Sequence, residues 1–92
     1  MIVRIMGEGQ LDVAESHLDR LNQLDDELLA ALERGDEGLF RTALGNLLTA
    51  VREAGSPRPE ESLEPSDLIL PAADATVEEV RRLLRDDGLI PG

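Results

Sequence analysis

The chain contains no cysteine, lysine, tryptophan or tyrosine, and Phe40 is its single aromatic residue. Without cysteine there is no disulfide framework, no thiolate metal site and no thiol nucleophile. No apolar run approaches the ~20 residues that a membrane-crossing helix needs. The opening Met1-Ile2-Val3-Arg4-Ile5-Met6-Gly7-Glu8 is too short an apolar stretch for a secretory signal. A soluble cytoplasmic protein is expected. Positive charge is scarce as well: nine arginines face 20 acidic residues, for a net charge of −11 and a pI near 4.3. Such a surface repels nucleic-acid phosphates and does not dock unaided on an anionic membrane. The all-arginine base usage fits codon choice in a GC-rich genome.

Catalytic equipment is equally thin. His17 is the only histidine. Its neighbours Ser16 and Asp19 are too close along a helix to converge on it as a triad requires. A solvated helix-surface histidine is the expectation; a small hydrolase or ligand-binding domain built on His17 is the weaker alternative. Asp25-Asp26-Glu27 and Glu60-Glu61 lack the alternating ligands and central glycine of a calcium loop. The first cluster is expected mid-helix and facing outward. Gly7-Glu8-Gly9-Gln10 has neither the G-x-G-x-x-G spacing nor the lysine of a phosphate loop, and Glu8 would repel a phosphate. Its glycines are expected to serve a turn. No catalytic residue, cofactor or metal is therefore expected, and the protein reads as a non-enzyme.

What is present suits one small domain, residues 1–92. The 41% apolar content is enough for a core and argues against disorder. A chain of this length buries only about 60% of its unfolded surface, so self-association or a partner would add stability. Leucine and alanine dominate the apolar set and favour helix. Ile2–Met6 reads as a strand with Arg4 on an open face, stopped by Gly7 and Gly9. From about Asp12 the pattern becomes helical: Leu11, Ala14, Leu18, Leu21, Leu24, Leu28 and Leu32 share one face. Asp12 and Glu15 are expected to cap this helix, and Gly35 to end it. Asp36 caps a second helix with the stripe Phe40, Ala43, Leu44, Leu47, Leu48 and Val51, closed by Gly55 and Pro57.

Two amphipathic helices joined so tightly fold into an antiparallel hairpin. Ser56–Pro65 reads as an exposed connector, and Asp67–Pro71 as a second short strand that begins and ends abruptly beside prolines. Thr76 and Glu79 form a capping box for a third helix with Val77, Val80, Leu83 and Leu84 inward, ended by Gly88. The class is thus α+β in the order β-α-α-β-α: a helical hairpin on a small two-stranded sheet, plus a C-terminal helix. Two strands are marginal alone, so pairing beneath the hairpin or completion by a homodimer is expected. Arg81, Arg82 and Arg85 make the only basic cluster, either neutralised by Glu78 or open to an acidic partner.

Three segments in order resemble the PspA-associated (PspAA) domain: Met1–Gln10, Pro65-Ser-Asp-Leu-Ile-Leu-Pro71 with Ala73–Thr76, and Asp87-Gly-Leu-Ile-Pro-Gly92. The resemblance covers essentially the whole chain. It implies a non-enzymatic partner of phage-shock protein A, a membrane-stress effector of bacteria, with companions of this kind in actinobacteria and archaea. Recruitment to the inner face of the membrane would then come through that partner. The matched motifs nominate Gly7, Glu8, Gly9, Gln10, Leu89, Ile90 and Pro91 as candidate interaction surface. A self-associating structural domain without a dedicated partner is the alternative.

Overall fold

A computed structural model of the chain describes residues 1–59 and 64–83. Strands β1 (Ile2–Ile5) and β2 (Gly9–Val13) form an antiparallel hairpin. A single 3-10 turn, Glu15–His17, leads into α1 (Leu18–Arg34), followed by α2 (Glu37–Ala54). Strands β3 (Gly55–Pro57) and β4 (Leu68–Leu70) come next, and α3 (Val77–Leu83) ends the described chain. The class is α+β, with the expected helical hairpin and C-terminal helix.

The sheet differs from the two-stranded expectation. Among the described residues it has four strands in the order β3-β2-β1-β4, all from one chain. The first addition is β2, where a helix was expected to begin. Leu11, Ala14 and Leu18 have helical spacing, but Leu11-Asp12-Val13 also alternates, and the tight turn before it holds this segment against β1. Asp12 is therefore a strand residue facing Ile2 and not a helix cap; α1 begins after His17 without any side-chain cap. The second addition is β3, which pairs Leu11 with Pro57 at the sheet edge. Proline is tolerated there because an edge residue need not donate to a ladder. A parallel contact brings β4 beside β1, with Val3 opposite Leu68 and Ile5 opposite Leu70.

Alternation along the strands sends Val3, Ile5, Val13, Leu68 and Leu70 into the core. There they join the stripes of α1 and α2, including Leu21, Leu28, Leu44, Leu47, Leu48 and Val51. Gly35 stops α1 in the left-handed region at φ 68°. The Asp36 carboxylate accepts from the Leu39 amide at 3.0 Å and starts α2. Thr76 Oγ1 accepts from the Glu79 amide at 3.2 Å and starts α3, which enters the core through Val80.

Two expectations about α1 and α3 change. Asp26 and Glu27 face outward, but Asp25 is buried. It lies four residues after Leu21 and three before Leu28, so it falls within the apolar stripe itself. Leu83, expected inward, is 39% exposed.

Candidate partner-binding surface

The residues nominated at the β1–β2 junction form a tight turn. The Glu8 amide donates to the Ile5 carbonyl at 2.9 Å, closing a four-residue reversal over Ile5–Glu8. Gly7 stands third in that turn with φ 84°, and Gly9 follows with φ 104°. A type II reversal requires a positive φ at its third position, which glycine adopts without a Cβ clash. The sequence expectation of a conformational role for these glycines is met. Nothing crowds either position, so the constraint is the backbone's own.

Glu8 is positioned by α2. Arg52 donates through Nε to Glu8 Oε1 at 2.8 Å and through Nη2 to Oε2. This two-pronged bond to Arg52 holds the Glu8 carboxyl below its ordinary pKa, and the guanidinium is raised in return. Both side chains remain about two-fifths exposed, so solvent screens the pair and its contribution to stability is at most about 1 kcal/mol. Its work is geometric: it ties the turn to the last turns of α2.

Gln10 faces the opposite side of the sheet and is buried. Its Nε2 donates to the Glu64 carbonyl at 2.9 Å and to Ser66 Oγ at 2.8 Å, so it straps the returning connector onto β2. Arg58 on that connector pairs with Asp12 at 2.8 Å and with Glu64 at 3.2 Å. Leu89, Ile90 and Pro91 lie outside the described residues, as do Leu84, Arg85 and Gly88. Of the nominated set the structure therefore brings Gly7–Gln10 to one end of the sheet. Gly7 and Glu8 are exposed there, whereas Gln10 is covered.

Beside this turn runs an open groove of about 420 Å³. Met6, Pro71, Ala72, Ala75 and Leu83 make its apolar lining, with Glu79 and Arg82 on the rim. Sequence reading gave no hint of it, because it needs the parallel docking of β4 on β1 and the placement of α3. A second cleft of about 350 Å³ lies between the α1–α2 junction and α3, where Arg81 Nη2 donates to the Leu32 carbonyl at 3.3 Å. Arg81 is thus committed to α1 and not to Glu78. His17 is exposed, as expected.

Among the described residues no cluster of three histidine or acidic side chains is arranged to hold a metal. No described helix is long and apolar enough to cross a membrane.

A family model described as PspA-Associated protein (PspAA) matches residues 1–92. The chain belongs to the PspAA family. The match spans both the strand hairpin and the helical hairpin, so the family covers the architecture described above as one unit. No curated protein and no solved structure matches this PspAA chain.

Proposed function

We propose that this PspAA protein is a non-enzymatic adaptor or regulator that binds a PspA-like coiled-coil protein of the membrane-stress response. The observation that carries the reading is the family match over residues 1–92, whose description names association with PspA. Two features support it. The outward faces of α1 carry exposed acids such as Asp19, Asp26, Glu27 and Glu33, which would steer the chain toward basic stretches of a helical partner. The apolar groove beside the turn supplies an uncovered surface of the kind that helical segments occupy. Through such a partner the protein would be recruited from the cytoplasm to the inner face of the membrane.

The test is capture of the PspA-like protein of the same organism by the purified chain, at about 0.05 M and about 0.15 M salt, straddling the range where screening of surface charge sets in. Retention at both concentrations is the expected result. No retention at either would overturn the reading. A self-associating domain is less favoured, because its motive was a sheet too thin to stand alone, and the four strands come from a single chain.

A further inference from the structure

Three of the four large apolar side chains that are most exposed among the described residues gather on one side of the molecule. They are Met6 at 49%, Ile69 at 47% and Leu83 at 39%. Ile69 stands opposite Arg4 across the β4–β1 pair, on the outward face of the sheet, at the ~4.8 Å spacing of neighbouring strands. Met6 follows Arg4 by two residues, and its amide still donates to the Leu70 carbonyl at 3.0 Å, which keeps it in line with the same face. Met6 and Leu83 then meet across the groove. The result is one apolar strip running from the sheet to α3.

Its charges run against the rest of the molecule. Among the described residues, Arg4 beside Ile69 and Arg82 on the groove rim form no ion pair, whereas Arg52 and Arg58 are both engaged by carboxylates. Glu79, one turn before Arg82, is the acid that borders the groove. Asp67, two residues before Ile69, also lies on this face, but its Oδ2 accepts from the Ile2 amide at 2.8 Å. Among the described residues, two unpaired cations therefore stand against Glu79 and an already engaged Asp67, on a chain of net charge −11, and this makes the strip a place where the surface complements an acidic group.

Resting on the adaptor reading above, we infer that Met6, Ile69 and Leu83 receive the apolar stripe of an amphipathic helix of the partner. Arg4 and Arg82 meet carboxylates that flank that stripe. A helix presents such a stripe at i, i+3 or i+4, and i+7, and its flanking positions lie beside it on the same surface. The acidic α1 face then orients the partner from a distance, while this strip sets the register of contact.

Two measurements test the surface and the adaptor reading separately. In the first, the isotope-labelled chain is titrated at about 0.15 M salt with two synthetic helical peptides that share one leucine stripe. One peptide is flanked by Glu and the other by Lys. The Glu-flanked peptide is expected to move the amide signals of Met6, Gly7, Ile69 and Leu83, and to bind there about five-fold tighter than the Lys-flanked one, the scale of one surface ion pair. The double change Arg4→Glu and Arg82→Glu reverses that preference. Unmoved signals, or equal movement with both peptides, overturns the assignment.

In the second measurement, Ile69→Asp and Met6→Asp lower capture of the PspA-like protein at least about ten-fold, the scale of losing one apolar anchor. Leu39→Asp, a comparably exposed position on α2, leaves capture unchanged. Capture undiminished by Ile69→Asp overturns the surface while the adaptor reading stands. If the unaltered chain captures nothing yet the Glu-flanked peptide fills the strip, the adaptor reading falls and the surface stands.

Discussion

Gln10 and Glu8 are two residues apart in the turn and do opposite kinds of work. Gln10 is buried with both donors used, on Glu64 and Ser66. Its replacement by alanine leaves that carbonyl and hydroxyl without their donor and detaches the connector from β2. Gln10→Ala is expected to cost about 1–3 kcal/mol, read from urea denaturation. Glu8 is exposed, and what Arg52 changes is its titration. A carboxyl with a lowered folded-state pKa stabilises the fold above its unfolded pKa, and that contribution is lost as pH falls through the folded value.

Arg52→Met should therefore return the Glu8 titration upward to the ordinary carboxylate range, followed by carbon NMR of the side-chain carboxyl. The accompanying loss of neutral-pH stability should stay below about 1 kcal/mol, because the pair is exposed. His17→Ala should leave stability within about 0.5 kcal/mol, as for other exposed positions. The glycines of the turn were legible because backbone freedom is a property of the residue itself. Arg52 was not, since nothing local to residue 8 announces a partner 44 positions away.

At the scale of elements, what sequence shows well are segments whose signals are local. The α1–α2 junction follows from Gly35 and Asp36, and the start of α3 from Thr76; each rests on hydrogen bonds within three to five residues. Asp36→Ala and Thr76→Ala should each cost about 1 kcal/mol, seen as a lowered thermal midpoint. The strands β2 and β3 are another matter. Gly55-Ser56-Pro57 has no strand propensity at all, and it pairs only because α2 delivers it beside Leu11–Val13.

Its glycine is also a packing requirement. A Cβ at position 55 would sit 2.9 Å from the Val51 carbonyl and 3.0 Å from the Leu11 Cβ. Gly55→Ala must displace β3 from β2, with an expected cost of about 1–3 kcal/mol by denaturation. β2 carried two periods at once, and the helical one was the longer run. The buried Asp25 could have been found by placing it on the same helical wheel as Leu21 and Leu28. The groove could not, as its walls come from a turn, a strand end and α3.

For the molecule as a whole, charge is the dominant long-range fact. Net −11 on 92 residues means self-repulsion that the compact state feels more strongly than the unfolded chain. Raising salt from about 0.01 to 0.15 M shrinks the screening length from roughly 30 to 8 Å. The thermal midpoint should rise over that range, because the screened repulsion outweighs the few exposed pairs that salt also weakens. A falling midpoint in the same experiment would show that the ion pairs at Glu8, Asp12 and Glu64 matter more than net charge. The same acidic excess sets copies of the molecule to repel one another, and the two arginines of the exposed strip are local exceptions to it.

The parallel docking of β4 on β1 also sets a timetable for synthesis. Ile5 finds its neighbour β2 almost at once, but its other neighbour, Leu70, is 65 residues later. At about 5–20 residues per second, the ribosome delivers that strand roughly 3–13 s afterwards. Through that interval one edge of β1 has no partner strand, and Val3 and Ile5 lack Leu68 and Leu70 as their neighbours in the sheet.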